Sequence, residues 1–546
     1  MPRQIPHDGK LCIIGGMGKI SRFMLLPALS GLVFFSPISA AEPGCEAARA
    51  LLEKGQSLEA QKLLFTLPGE LSFPCIEALA DASIALGDLK KAASALEELF
   101  KRDPSSLSAA ARLARLYSWE GDYAASLRYY GSALALKAGD CGLTVGKARV
   151  LARAGRVKES EAAYSVADSA CGGGWVHSEA AGKDHLRSGR LYSAEKEFKQ
   201  AAGLNPSDAE ALFYLAQLYS NSGVYGEAEK YYARLAEISP YNAAAARARA
   251  KNSAYRAGLR LTGGFAYWDA RGADRMTDVR RTGLYAGPAA RIADGLDVSA
   301  YGTYADYGFN SGAGISERGG EAALAYVPSL YRGAGVAVNS RTLNSRSYGG
   351  LSSAYAWDRL SDPVVISLAW NRERLLNNRG NLVSGLAASV LKARGALNLP
   401  ENFSAGADLV RGRVDGGNYY TIEGADAKYA LSGTPSLFWS EARWERSAYA
   451  RGSVLYFAPQ AYNTYSLGAS WRRYFSKGAL HYGAPHFYCE LKAREVFDNS
   501  RYWSFNPRAG FYAEREKYWT LKLEFSVNSA HYYRANYWEL GLVKVL

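Results

Sequence analysis

Two periodicities divide the chain near residue 258. Beyond it, apolar and polar residues alternate with a period of two, the spacing of a strand whose side chains point to opposite faces. In "YWTLKLEFSVNS", Trp519, Leu521, Leu523, Phe525 and Val527 share one face, while Thr520, Lys522, Glu524, Ser526 and Asn528 share the other. "FYCELKARE" sets Phe487, Cys489, Leu491 and Ala493 against Tyr488, Glu490, Lys492 and Arg494. "LFWSEARWER" sets Phe438, Ala442 and Trp444 against Glu441, Arg443 and Glu445. In "YSLGASWRRYF", Tyr465, Leu467, Ala469 and Trp471 oppose Ser466, Gly468, Ser470 and Arg472. About sixteen segments read this way, an even number that suits a closed antiparallel barrel with lipid outside and water inside.

The links between these segments alternate in length. "ADG" (293–295), "RLSD" (359–362), "SGTP" (432–435), "SKG" (476–478) and "REK" (515–517) predict short turns. "DYGFNSGAGISERGG", "RERLLNNRGN", "SVLYFAPQAYNT" and "SAHYYRAN" predict longer loops, as expected on the outer side of a membrane barrel. Trp268, Trp370, Trp444, Trp471, Trp519 and Trp538 fall where interfacial girdles are expected. A soluble β-sandwich or propeller is the competing architecture, but it needs no girdles and its links need not sort by parity. Lys544 breaks the otherwise apolar Trp538–Leu540–Leu542 face of the last segment, which ends in Leu546.

Before residue 258 the pattern is helical and repeats. Gly55, Gly87, Gly121, Gly155, Gly189 and Gly223 each follow a short apolar-periodic stretch, and the last four intervals are 34 residues. Around Gly223, Leu215, Ala216 and Tyr219 precede, and Tyr225, Ala228, Tyr232, Leu235 and Pro240 follow. Small residues let two antiparallel helices approach, aromatics fill the gaps beside them, glycine turns the chain and proline stops the second helix. This pattern resembles the tetratricopeptide repeat over roughly residues 44–240, with the segment after Pro240 as a closing helix. In this register Cys141 and Cys171 open and close one repeat, and Cys45 and Cys75 start neighbouring first helices. The pairs 45–75 and 141–171 and four unpaired packing cysteines are both compatible with that placement.

Composition narrows the class. The chain has 546 residues, 48% apolar and 21% charged, and a net charge of +13 spread along its length instead of gathered into a stripe, which argues against a nucleic-acid partner. Lys19 and Arg22 precede "FMLLPALSGLVFF" and the small residues "SPISAAEPG", the layout of a secretory signal peptide cut near Ala40 or Ala41, with Met17 as the expected start. The apolar run is too short for a confident membrane helix. Export permits disulfides. Glu42-Pro43-Gly44 before Cys45 does not suit lipid attachment. No H-E-x-x-H, G-x-S-x-G or phosphate-loop pattern is present, "GGMGKIS" has the wrong glycine spacing, and the six histidines are scattered. The chain reads as a non-enzyme without a cofactor or metal.

The expected fold is therefore α + β in two domains. A signal peptide (1–41) precedes a periplasmic tetratricopeptide α-solenoid (42–257), followed by a roughly 16-stranded antiparallel transmembrane β-barrel (258–546). That combination, with the tyrosine-proline stretch "YFAPQAYNTYSLGASWRRYF", resembles the outer-membrane exopolysaccharide export proteins of the cellulose-synthase operon protein C and poly-N-acetylglucosamine export porin type. The resemblance implies a passive polymer conduit in the outer membrane. It also implies a solenoid that engages periplasmic or inner-membrane proteins of a polysaccharide synthesis machine. The polar faces then nominate Glu441, Arg443, Glu445, Arg472, Glu490, Lys492, Arg494, Lys522 and Glu524 as lumen residues, with Tyr456 and Tyr462 in an exit loop. For each of these, mutual charge pairing on the wall is the plainer role. An outer-membrane receptor or structural barrel with a partner-docking solenoid and no transport role is the alternative, and an outer-membrane enzyme is a third.

Overall fold

A computed structural model describes residues 43–239, 243–272, 277–310, 312–399, 402–432, 436–475, 486–515, 518–530 and 533–546. The signal-peptide region, its expected start at Met17, Pro240 and the turn residues 433–435, 476–478 and 516–517 lie outside the described residues.

Helices from Pro43–Glu53 to Tyr225–Ile238 form six antiparallel pairs, and a further helix, Ala243–Ala257, follows them. The six repeat glycines all have positive φ, between 71° and 82°, at the turn inside each pair. At the last of these, Val224 N–H reaches back to the Tyr219 carbonyl at 2.9 Å, closing the helix end that the left-handed glycine permits. Ala216, Ala228 and Ala248 have no exposed surface, and Phe198, Phe213 and Tyr232 fill the space beside them. Disulfides join Cys45 to Cys75 (Cα–Cα 5.0 Å) and Cys141 to Cys171 (4.8 Å).

The first helices of successive pairs, Cys141–Arg153, Trp175–Arg187 and Ala209–Asn221, share a buried ionic cluster. Arg149 meets Asp208 at 2.8 Å and also pairs with Glu179, while Lys183 bridges Glu179 and Glu210. Tyr164 donates to Glu179 at 2.9 Å. Burial raises both acids, but Arg149 and Lys183 outweigh it at Glu179 and hold that carboxyl below its usual range. At Asp208 burial wins, reinforced by Glu179 and Glu210, and carries the carboxyl from 3.8 to about 7 despite Arg149.

Past Ala257 the chain enters a single antiparallel sheet that closes on itself. Each strand pairs with the next, and the first, Leu259–Gly272, pairs with the last, Tyr533–Val545, from Arg260↔Val545 to Gly272↔Tyr533. Trp503–Phe505 and Arg508–Arg515 are two halves of one strand, since both lie between Phe487–Asp498 and Trp519–Ala530. The break falls at Pro507, which has no N–H to donate, although its carbonyl still accepts from Val527 at 3.0 Å. Counted so, the barrel has sixteen strands.

The solenoid is seated on the barrel end that carries both barrel termini. Asp362, in the turn after Asp358-Arg359, accepts from the Ser193 N–H at 2.9 Å and caps the helix Leu191–Leu204. Tyr192 stacks on Tyr331 with ring centroids 3.6 Å apart, and Leu330 is buried in the cluster of the last repeats. Arg291 donates to the Gly223 carbonyl at 2.6 Å, and Lys251 of the last helix forms a buried pair with Glu514 of the barrel.

Link lengths sort less cleanly by parity than the sequence suggests. "SAHYYRAN" and "DYGFNSGAGISERGG" belong largely to strands, which reach Ala530, Tyr533, Gly308 and Ile315. Polar, glycine-rich residues still join a ladder where the neighbouring strand extends far enough to pair them. Leu343 and Arg346 are joined through only Asn344 and Ser345, both at positive φ, at the end away from the solenoid.

The Asp208 shift makes a prediction. A folded Asp208 keeps its proton up to about pH 7 whereas an unfolded one releases it near 3.8, so its contribution to stability is present at low pH and declines as pH rises through that window. Asp208→Asn should therefore gain stability relative to the unmodified protein as pH is raised from about 5 to 8, by on the order of 1–3 kcal/mol in solenoid unfolding followed by helical circular dichroism. A difference independent of pH would show that Asp208 is ionised throughout.

Candidate functional site: the interior of the barrel

Period-two alternation within a closed barrel leaves each side chain only two destinations. The outward set carries large apolar residues in open exposure, including Leu284, Leu324, Val336, Leu368, Leu409, Leu491, Leu523 and Leu540, with Leu467 at 71%. Such a band around the whole barrel far exceeds the few hundred Å² of contiguous apolar surface that a water-soluble protein tolerates, so its natural solvent is lipid. Phe438, Tyr465 and Trp519 lie on this face. Lys544 lies on it too, its ammonium 5.1 Å from the Trp519 ring centre near the solenoid end, where a lysine can reach an interface. Cys489 is unpaired and shares the outward parity of Leu491.

The inward set is polar. Arg443 meets Asp408 at 2.8 Å and Glu445 at 2.9 Å, and Arg394 meets Asp426 at 2.7 Å. Glu441 pairs with Arg494 and lies 3.5 Å from Lys428. Arg472 donates to Glu490 at 2.7 Å, and Lys492 meets the same carboxylate at 2.6 Å. Lys522 bridges Glu524 (2.7 Å) and Glu539 (2.9 Å), while Glu524 also pairs with Arg508. The nine nominated charged residues thus all lie within inward ion pairs. Asp426↔Arg443, Lys428↔Glu441 and Arg472↔Glu490 stand directly opposite across neighbouring strands. In most of these pairs a well-covered carboxylate stands beside a more accessible cation, and together they cancel charge along the wall.

Sequence alternation found one member of many pairs and missed the other. Asp408, Asp426, Arg394, Lys428, Arg508 and Glu539 had the right parity, but no linear signal says which strands become neighbours. Trp268 corrects the girdle assignment. It has the inward parity of Arg260 and packs against the inner cluster around Ala270, because the wall there turns small residues inward and leaves room for an indole. Trp538 is outward but lies mid-strand, beside Phe525 at 4.3 Å.

At the end away from the solenoid, two loops turn into the lumen. The link between Val364–Arg374 and Ala387–Asn398 carries a short helix, Arg379–Ser384, whose Leu382 is 1% exposed. Leu382 belongs to a cluster with inward residues of strands from both ends of the barrel sequence, among them Val279, Tyr307, Ile315, Leu343 and Ala535. The loop before Tyr462–Tyr474 also turns inward. Tyr456 is 6% exposed, packed with Val390 and Val414, and its hydroxyl accepts from Asn418 at 2.9 Å. Tyr456 is thus a packing residue of the loop, not one displayed to passing ligand, and Tyr462 donates to Asp498 at 3.1 Å. The two loops meet where Asn378 (2.9 Å) and Asn381 (2.7 Å) both donate to the Leu455 carbonyl.

Residues 179–243 match the tetratricopeptide repeat family model. A search of curated proteins found no match. Among solved structures, a bacterial polysaccharide outer membrane secretin is similar over 54% of this chain and 99% of its own, at 12% identity and a TM-score of 0.44. A thermophilic TPR protein from Thermus thermophilus is similar over 32% and 95%, at 20% identity and a TM-score of 0.25. The C-terminal part of a TPR repeat-containing protein from Cytophaga hutchinsonii is similar over 38% and 88%, at 12% identity and a TM-score of 0.27.

The two faces can be tested on adjacent residues. Leu467→Arg places a charge on the outward face and should cost about 2–4 kcal/mol in folding into lipid vesicles, read by heat-modifiable gel migration. Ser466→Arg, on the inward face, should fold nearly as well as the unmodified protein. Equal tolerance at both positions would contradict the lipid assignment.

Proposed function

We propose that the protein is an outer-membrane component of exopolysaccharide secretion, with the barrel as a passive polymer conduit and the solenoid as its periplasmic scaffold. The observation that carries this reading is the closed sixteen-stranded wall, apolar and exposed outside, charge-paired and polar inside, with a helical repeat array seated on one mouth. A wall whose charges cancel offers weak, exchangeable hydrogen bonds to a sliding polymer instead of a deep binding site. The repeat array supplies a surface suited to proteins of a polysaccharide synthesis machine. Nothing in the reading requires a reaction, a cofactor or a metal.

The inward loops at the far end favour one refinement. The loops around Leu382 and Tyr456 hold the exit shut, so export requires them to leave the lumen while the strands stay paired. The same arrangement also suits the second reading, a structural or receptor barrel that never opens.

Planar-bilayer conductance separates the two. The unmodified barrel should be silent or nearly so, and replacing residues 376–385 with a short glycine-serine linker should produce discrete openings. Asn378→Ala with Asn381→Ala should raise opening frequency less. A loop-replaced barrel that stays silent, together with normal polymer secretion by a deletion strain, would remove the conduit.

A further inference from the structure

On the inward wall, Arg394, Arg443, Arg472, Arg494 and Arg508 all stand beside carboxylates. Three arginines on the outward face do not. Arg411 and Arg413 lie on the strand Phe403–Val414 and Arg446 on Ser436–Tyr449, with Asn418–Ser432 between the two. Their neighbours fix their direction. Val410 and Val414 pack inside with Tyr456, and Arg443 and Glu445 pair inside, so the alternate residues point to lipid. All three are exposed, and each falls within the last four residues of its strand at the end away from the solenoid. None is paired with a carboxylate among the described residues.

The middle strand adds hydroxyls to the patch. Thr421 stands opposite Arg411, and Tyr419 stands opposite Arg413 with its ring centre 5.5 Å from that guanidinium. Glu423, opposite Arg446, is the one acid on this face of the three strands, so positive charge remains in excess. Asp415, just past Val414, is taken by Arg372 at 2.7 Å. Toward the middle of the barrel the same face turns apolar. Leu409 and Trp444 each lie two residues before an arginine, and Leu391 stands opposite Arg411 on the other neighbouring strand. At Leu409 begins an outward groove of about 800 Å³, lined by Ala356, Ala393 and Ala407 between Leu368 and Tyr326.

A single unmatched arginine near a membrane boundary can simply reach the water there. Three on adjacent strands, above an apolar groove, form a surface with a headgroup end and a chain end. We propose that Arg411, Arg413 and Arg446 bind the phosphate of an acylated lipid in the leaflet away from the solenoid, whose chains lie against Leu391, Leu409 and the groove. Guanidinium groups hold phosphate oxygens through paired N–H donors, and the Tyr419 and Thr421 hydroxyls add further donors. The site depends on the lipid assignment of the outward face, which Leu467→Arg tests separately, and is independent of whether the barrel conducts.

Native mass spectrometry of the full chain in detergent tests this, with a tetra-acylated glucosamine disaccharide bisphosphate as probe and its dephosphorylated form as the matched control. The bisphosphate should be retained about tenfold more tightly than the control. Arg411→Gln, Arg413→Gln and Arg446→Gln should each weaken its binding about fivefold, whereas Arg473→Gln, an exposed outward arginine at the solenoid end, should change it less than about twofold. Glycerol phosphate, the same anion without chains, should fail to compete. Heat-modifiable migration reports folding of each variant, and any two of the three site variants suffice. Equal retention of the two lipids, or an Arg473→Gln effect as large as the other three, would reduce the patch to general attraction and overturn the site. Competition by glycerol phosphate would make it a site for free phosphate and overturn the lipid assignment of its ligand.

Discussion

The pairing of the first barrel strand with the last is the constraint on which the rest depends. Arg260↔Val545 through Gly272↔Tyr533 converts a sheet with two edges into a wall with none. In hydrocarbon there is no water to satisfy an unpaired N–H or C=O, so an open edge is untenable there and a closed barrel is one of the few viable forms. Closure also fixes parity. Once one residue of a strand is known to face lipid, every other residue's face follows, because a one-residue slip would turn the entire apolar set inward. It places both barrel termini at one end, so the helix Ala243–Ala257 can only deliver the solenoid to that mouth.

From this follows a division of labour among side chains that identity alone does not reveal. Arginine on the wall is matched across the ladder, as at Arg443 and Asp426 or Arg472 and Glu490, because two facing strands put opposite residues within reach. Lys544, on the other face and near an end, lies over the Trp519 ring. In the solenoid the same residue types behave differently again. Arg149 and Lys183 are buried with Glu179, Asp208 and Glu210, where removing one partner strands a charge.

How much of this was legible in the chain follows from the range of each signal. The six turn glycines and the alanines beside them repeat at a fixed spacing, so the solenoid could be read unit by unit. Alternation over five to ten residues is also local, and it assigned Glu441, Arg443, Arg472, Lys522 and Leu467 to their faces. It could not say that Asp408 lies beside Arg443, since that depends on strand order and register. Nor could it say that Tyr456 and Leu382 turn into the barrel. An apolar residue inside a polar loop was the available hint, but whether it meets lipid, solvent or the lumen depends on a barrel not yet built. Trp268 was misread for a related reason: an indole at a strand end suits a girdle and an inner cluster equally, and parity with Arg260, not position, decides between them.

The two mouths differ in what packs against them, and that difference bears on how the proposed conduit would open. At the solenoid end the joint uses the ladder's own turns, with Asp362 capping a helix, Leu330 sunk into the repeat core and Lys251 buried against Glu514. Loosening it would expose apolar surface and unpair buried charge. At the far end the packing comes from loops, tied to each other by two asparagine donors on the Leu455 carbonyl and held by apolar contacts within the lumen. Withdrawing those loops breaks no strand pairing, and two amide hydrogen bonds amount to roughly 1–3 kcal/mol. The solenoid mouth is therefore built to stay, and the far mouth is the one whose opening leaves the wall intact.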